Sequence, residues 1–289
     1  MATTKNYCSA FHNGYAVLKL NGKANFISKE GEFLSLQEWF EDAKDFVDGL
    51  ARVKRYGKWN FITLQGTFFL PTWYDYLEDF REGFAVVGVN NQDFPFKSTV
   101  ECRYNYIDKQ RNYISEDWYD KCYMFLDGRG MVQKKIDGVN KYNFINKQGK
   151  IISYIWSDRI INRWCKDYFV VEVRKTKSSR KYLCGLVDSN GHVVGDKLWE
   201  WCDCAFWDGF TRVFEKGKWN FIDKDGTIQS SIWFDGLGIF GDDGYSFVEI
   251  GDEYYWIDKD FHTNPRLFSR DRSTIITLTE IYKKLGQVV

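Results

Sequence analysis

Hydrophobic and polar positions alternate with a period of two along most of this chain. Gly49-Leu50-Ala51-Arg52-Val53-Lys54 runs one way, Tyr56-Gly57 turns, and Lys58-Trp59-Asn60-Phe61-Ile62 returns. Alternation of this kind marks half-buried strands, because successive side chains point to opposite faces. Gln65-Gly66 turns the chain again, and Thr67-Phe68-Phe69-Leu70 reads as a third strand. Trp73 to Phe80 then reads as a short connection onward. Asn21-Gly22, Gln148-Gly149, Asn190-Gly191 and Asp225-Gly226 supply equivalent turns, since Asn, Asp and Gly tolerate positive φ. The pattern predicts a three-stranded meander.

The meander repeats. Gly57-Lys58-Trp59-Asn60-Phe61-Ile62 recurs letter for letter at Gly217-Lys218-Trp219-Asn220-Phe221-Ile222. Weaker echoes stand at Gly22–Ile27, Tyr104–Ile107, Tyr142–Ile145, Cys184–Val187 and Tyr255–Ile257, which makes seven copies. Trp39, Trp73, Trp118 and Trp199 each stand ten residues before a glycine, and the Trp-to-Trp steps run 34, 45, 38, 43 and 34 residues. Constant motifs with variable gaps place insertions in turns. The expected units are 11–38, 39–72, 73–117, 118–155, 156–198, 199–232 and 233–268. A single unit cannot bury its apolar face, so units must stack. The 34-residue steps leave little room for the fourth strand of a propeller blade of ~40–45 residues. An all-β open superhelix is therefore favoured, with a closed seven-bladed propeller as the alternative. Beyond it, Asp271-Arg272-Ser273 offers an N-cap, and Ile275, Leu278, Tyr282 and Leu285 share one helical face. A C-terminal capping helix is expected over 269–289.

The Lys-Trp-Asn motifs resemble the WG-repeat family, from about residue 11 to about residue 262. Family units typically read Lys-Trp-Gly. Here Asn25, Asn60, Asn105, Asn143 and Asn220 take the place of that glycine, Gly185 keeps it, and Trp256 of the last unit does not fit. Asn is the residue after Gly best able to take left-handed backbone angles, so a β-bulge or strained strand position is expected there. The resemblance implies an all-β array and brings no catalytic residues with it.

Composition narrows the class further. An aromatic share of 19% suits strands, and 40 basic residues balance 40 acidic ones, which argues against a surface devoted to nucleic acid or anionic lipid. No apolar run approaches the ~18 residues of a membrane span, and the N-terminus lacks a secretory stretch, so a cytoplasmic address is expected. Seven cysteines at irregular spacings read as free thiols. Cys202-Asp203-Cys204 matches no standard zinc spacing and occupies the repeat positions of Tyr76 and Glu78, so neither a metal nor a cofactor is expected.

Catalytic signals are sparse. His12, His192 and His262 fall in three distant units without a nucleophile motif. Asp75, Asp120, Asp158 and Asp235 each follow a Trp by two residues, and one copy per unit indicates a turn cap. The chain is expected to be a non-enzymatic scaffold for a protein partner. Its candidate contacts are the residues that break the repeat. Arg174, Lys175, Lys177, Arg180 and Lys181 form a basic hairpin insertion, Phe94 and Phe96 lie in the insertion at 90–103, and Trp164, Trp201 and Trp207 are unrepeated aromatics. A glycan or nucleic-acid ligand held by exposed aromatics beside the basic hairpin is the alternative.

Overall fold

Alternating sequence becomes seven three-stranded antiparallel sheets in the computed structural model, which describes residues 6–36, 38–90, 102–161, 167–176, 180–242 and 244–262. The chain divides into two compact units, Met1–Ile151 and Ile152–Val289. The first unit holds β1 (Tyr7–Cys8), β2 (Tyr15–Leu20) and β3 (Lys23–Ser28); β4 (Asp42–Ala43), β5 (Leu50–Arg55) and β6 (Lys58–Thr63); β7 (Tyr76–Leu77), β8 (Phe84–Asn90) and β9 (Cys102–Asp108); and β10 (Lys121–Leu126), β11 (Arg129–Ile136) and β12 (Val139–Asn146). The second holds β13 (Arg159–Ile161), β14 (Tyr168–Arg174) and β15 (Tyr182–Asp188); β16 (Trp201–Cys202), β17 (Thr211–Glu215) and β18 (Lys218–Ile222); and β19 (Gly236–Leu237), β20 (Ser246–Ile250) and β21 (Glu253–Ile257). The C-terminal helix expected over 269–289 lies outside the described residues.

In four sheets the hairpin between the long strands is closed by a two-residue turn with both φ positive, at Asn21-Gly22, Tyr56-Gly57, Asp137-Gly138 and Lys216-Gly217. Mirror-image turns of this sort match the right-handed twist of the strands they join. The Gln65-Gly66 and Asp225-Gly226 turns are a different kind, with only the glycine at positive φ. There a polar side chain two residues before the turn pair holds the loop: Asp223 Oδ1 accepts from Asp225 N at 3.0 Å and Thr227 N at 2.8 Å.

The meander is made of other segments than the sequence pattern suggested. Thr67–Leu70 is not a strand; it meets the sheet at the single Ile62–Phe68 bridge, with backbone hydrogen bonds from Phe69 N to Phe61 O of 2.8 Å and from Thr63 N to Thr67 O of 2.9 Å. The third strand of each sheet is instead the short one after the leading aromatic, such as Tyr76–Leu77, in what read as a connection. The reason is Asn60. Its Oδ1 accepts from Phe61 N at 2.7 Å and Leu70 N at 3.0 Å, while its Nδ2 donates to Leu70 O at 3.0 Å and Thr72 O at 3.2 Å. One buried side chain thus takes over the bonds a ladder would have made.

The same clamp recurs. Asn25, Asn60, Asn105, Asn143 and Asn220 are each at most 2% exposed. Their Oδ1 atoms accept from the following N–H at 2.7–2.8 Å. Nδ2 of Asn105 reaches Ser115 O and Asp117 O, and that of Asn220 reaches Ser230 O and Ile232 O. None of the five has positive φ, so the expected left-handed or bulged conformation is corrected: Asn is there for its amide. At Gly185 a Cβ would lie 2.5 Å from Leu198 Cδ2, so a leucine occupies the clamp's space. In the last sheet Tyr255, not Trp256, takes the Asn position, because Val248 pairs with Tyr255 as Val213 pairs with Asn220.

One landmark also shifts. Trp199 bridges Cys184 as Tyr74 bridges Trp59 and Phe234 bridges Trp219. It is 2% exposed, in the place of Phe40, Tyr74, Tyr119 and Phe234, all of them buried. Leu198 therefore holds the position of Trp39, Trp73, Trp118 and Trp233, and the ten-residue spacing from Trp199 to Gly209 is a coincidence of one extra residue in the loop before Gly209. Cys202 accordingly occupies the position of Leu77, not of Tyr76.

Cores form between consecutive sheets, and rings dominate them. Phe26 meets Phe46 at 4.8 Å, Phe61 meets Phe80 at 5.1 Å, Tyr106 meets Phe125 at 4.9 Å and Phe221 meets Phe240 at 4.9 Å. In each pair a ring on the last long strand of one sheet packs on a ring that lies in or follows the opening strand of the next. Tilted and edge-on pairs of this kind add ~0.5–1.5 kcal/mol beyond the area they bury.

Candidate functional site

The carboxylates that could serve chemistry are first accounted for by the fold. Glu41, Asp75, Asp120, Asp158, Glu200 and Asp235, with the amide of Asn6 in the first sheet, each accept a backbone N–H from the turn or adjoining strand end of the hairpin in their own sheet, at Gly57, Asn90, Lys135, Arg174, Lys216, Gly251 and Asn21. Several also pair with a cation from the preceding sheet: Lys58 with Asp75 at 3.0 Å, Arg103 with Asp120 at 2.5 Å, and Lys218 with Asp235. The recurring acid is therefore a turn cap and a link between units.

These pairs tie stability to pH. The Lys218 ammonium and then the Gly251 N–H hold the Asp235 carboxyl below its ordinary range. At Asp42, burial pulls upward, but Lys19 and Lys44 together win and the net shift is downward. A carboxylate whose folded pKa is depressed stabilises the fold above its unfolded value of about 4 and loses that contribution as pH falls through the folded value. Acid unfolding followed between pH 5 and pH 2 is expected to flatten when Asp42 and Asp235 are both replaced by Asn; an unchanged acid limb would count against the assignment.

The histidines and the acidic loop of the last sheet have structural places too. His12 bridges Tyr15 across a turn, and the N–H groups of His192 and His262 bond to Asp188 and Asp258. Asp258, Asp260 and His262 bring ligand atoms within 4.8 Å of one another. Asp258 Oδ1 already accepts from Asp260 N at 3.0 Å and His262 N at 2.8 Å, the same loop as Asp223-Asp225-Thr227. The turn explains the cluster. Cys184 and Cys202 sit in the core, and a hydrogen bond between their thiols, followed by burial, drives the Cys202 pKa upward. A thiol held protonated in this way behaves as a small apolar group.

The residues singled out from sequence fall in three places. Arg174, Lys175, Arg180 and Lys181 are exposed at the open end of the β14–β15 hairpin, closed by Lys175 N to Lys181 O at 3.1 Å. Arg174 is already engaged, 3.8 Å from Asp158 and over the Tyr182 ring, on which Arg159 also stacks at 4.4 Å. Lys177, Phe94, Phe96 and Trp164 lie outside the described residues. Trp207 bridges Phe210 across the Asp208-Gly209 turn, the repeat position of His12, Val47 and Arg81.

Register sets Trp201, one of the unrepeated aromatics, in a row whose other members the sequence pattern left hidden. Trp201 pairs with Phe214, and Phe214 pairs with Trp219, so three rings lie side by side across sheet six. The Trp201 and Trp219 rings are 5.1 Å apart, Phe214 and Trp219 4.9 Å, and Arg212 lies over both indoles. In every other sheet the row contains a non-aromatic residue, such as Asp42–Lys54–Trp59, Tyr76–Gly88–Tyr104 or Gly236–Glu249–Tyr254. Trp201 keeps 41% of its surface exposed. Aligning Trp201 under Tyr76 and Asp42 would have exposed the row, but this needs the one-residue correction at Trp199.

With the geometry in place, comparison with known proteins is informative at the level of the repeat. A family model described as WG containing repeat matches residues 40–59 and 61–92, which span the sheets of β4–β6 and β7–β8. The resemblance carried by the Lys-Trp-Asn motif is borne out over these residues, which match the WG-repeat model. No curated protein matches the chain. Among solved structures, a eukaryotic initiation factor aligns at 10% identity over 90% of this chain and 77% of its own, with a TM-score of 0.37. Kluyveromyces lactis Hsv2 aligns at 10% identity over 90% and 93%, with a TM-score of 0.34. The Neurospora crassa Pan2 WD40 domain aligns at 10% over 87% and 88%, with a TM-score of 0.26. Among the described residues no helix is long and apolar enough to cross a membrane.

Proposed function

We propose that this chain is a non-enzymatic binding module that engages a protein partner through the aromatic row of sheet six. The observation that carries the reading is Trp201–Phe214–Trp219 beneath Arg212, a set of rings that breaks the repeat and includes a Trp left 41% exposed. Recurring polar groups are used by the fold, as the Asn clamps and carboxylate caps show, whereas binding in repeat arrays concentrates where copies differ. Trp and Arg are also the side chains that most often dominate protein interfaces.

The test is capture from the native lysate with nuclease-treated and untreated arms, comparing the wild type with Trp201→Ala. A nuclease-resistant protein recovered by the wild type and at least tenfold depleted by the variant is the expected result, corresponding to about 1.4 kcal/mol or more. Equal recovery by both forms overturns the assignment. Recovery that disappears with nuclease moves the function to nucleic acid and to Arg174, Lys175, Lys177, Arg180 and Lys181.

A further inference from the structure

Each sheet has two unlike faces, and four junctions show how one kind covers the other. Val17, Ala24 and Phe26 of sheet one share a core with Ala43 and Val53 of sheet two, and Phe61 of sheet two shares one with Leu77 and Val87 of sheet three. Val170, Cys184 and Leu186 of sheet five likewise meet Cys202 and Val213 of sheet six, and Phe221 of sheet six meets Leu237 and Val248 of sheet seven. A leading face, centred on the last long strand, thus covers a trailing face built around a middle-strand valine.

The first and last sheets each keep one such face exposed. On sheet seven Phe247 pairs with Trp256 as Arg212 pairs with Phe221, so Trp256 and Tyr254, two residues apart, stand on the leading face. At the position of Trp256, Phe26, Phe61 and Phe221 are at most 1% exposed. Trp256 itself is half-buried, Phe247 is 40% exposed and Tyr254 58%. On sheet one Cys8 pairs with Leu18 as Leu77 pairs with Val87, which puts both on the trailing face. Val53, Val87, Val213 and Val248 are buried at the position of Leu18, whereas Leu18 is half-buried and Cys8 exposed.

Polar groups at the two faces match as well. Inside the chain, the residue just before the Trp59 position is a cation that pairs with the next sheet's turn-cap carboxylate: Lys58 with Asp75, Arg103 with Asp120, Lys218 with Asp235. Sheet seven has Glu253 there, and sheet one is capped by Asn6, an amide where the six other sheets have a carboxylate. A carboxylate cap would repel Glu253. The amide of Asn6, whose Oδ1 takes the Asn21 N–H, has N–H groups of its own to donate.

We propose that the leading face of sheet seven docks on the trailing face of sheet one in a second copy of this chain, Phe247 and Trp256 against Cys8 and Leu18, and Glu253 against Asn6. Joining unlike faces is a heterologous contact, so copies add head to tail. These faces do not include the aromatic row of sheet six, and the purified chain suffices to test them, so failure of the lysate capture leaves the proposal standing.

The experiment is sedimentation equilibrium of the full chain over a range of concentrations, with reductant present so that exposed Cys8 cannot link copies through sulfur. Average mass is expected to rise with concentration past that of two chains. Phe247→Glu on sheet seven and Cys8→Glu on sheet one should each weaken association about tenfold or more, with thermal melts confirming that both stay folded. Mixed in equal amounts, the two variants keep one intact face each and should form one-to-one pairs and nothing larger. Asn6→Asp is expected to weaken assembly, and Glu253→Lys added to it to restore assembly. Both positions are exposed, so this pair tests the junction if either glutamate variant fails to fold. A mass that stays that of one chain at every concentration overturns the proposal. So does undiminished association of either glutamate variant alone, or a mixture that does not pair.

Discussion

Replacing Asn60 by Ala is expected to cost about 3–5 kcal/mol of stability, among the largest effects of any single polar substitution in the chain. The amide makes four hydrogen bonds, to Phe61 N, Leu70 N, Leu70 O and Thr72 O, at a site 1% exposed. Removing it strands buried backbone groups, each costing ~1–3 kcal/mol when left unpaired. Part of that cost is recovered where water enters or the 67–72 segment relaxes, which sets the upper bound. Asn60→Asp is expected to be at least as damaging, because a carboxylate cannot donate to Leu70 O and Thr72 O and carries its charge into a buried site. Asn60→Gly should not be neutral either, although glycine is the residue the family pattern has there. The one unit that keeps it fills the vacant space with Leu198, 2.5 Å from where a Cβ would stand. Denaturant unfolding of the three variants, with equal m-values, checks the series.

Gly149→Ala is expected to be more severe, lowering the melting temperature by roughly 10 °C or preventing folding. A Cβ at Gly149 would lie 1.6 Å from Ile114 O and 2.5 Å from Ile114 C, so the backbone of one loop or the other has to move. Left-handed strain alone contributes ~1–2 kcal/mol, and displacing packed backbone adds at least as much again. Gly57→Ala is the matched control. Its φ of +76° resembles the +74° of Gly149, yet nothing lies within 4 Å of its would-be Cβ. It is expected to cost only the strain, a shift of about 2–8 °C on the scaling for chains of this size. Thermal melts of the pair separate conformational strain from steric contact. Equal losses would mean that the packing of Gly149 on Ile114 contributes nothing.

Much of this architecture was legible in the sequence because it rests on local rules. Alternation located β5 and β6, and the Gly57–Ile62 motif repeated often enough to count seven units. What local rules could not place was the third strand. Thr67–Leu70 has stronger strand character than Tyr76–Leu77, but Asn60 claims its backbone partners across ten and twelve residues. Tertiary hydrogen bonding overrode propensity there. The residue type at the clamp was visible, while its purpose was not, because backbone angles and side-chain amides both explain an Asn near a glycine motif.

The candidate sites show the same division. Trp199 invited alignment with the leading tryptophans by its spacing to Gly209. Only strand register moved it into the core and placed Trp201 at the head of the aromatic row. Trp207, distinctive in sequence, proved to hold an ordinary turn position shared with Val47 and Arg81.

The central claim is that recurring polar residues maintain the fold while the residues that break the repeat bind. The most direct measurement is a paired one, thermal unfolding and partner capture on Asn60→Ala and Trp201→Ala. The expected result is a lower melting temperature with capture retained below it for Asn60→Ala, and an unchanged melting temperature with capture lost for Trp201→Ala. Loss of capture in a folded Asn60→Ala chain, together with full capture by Trp201→Ala, would contradict the claim.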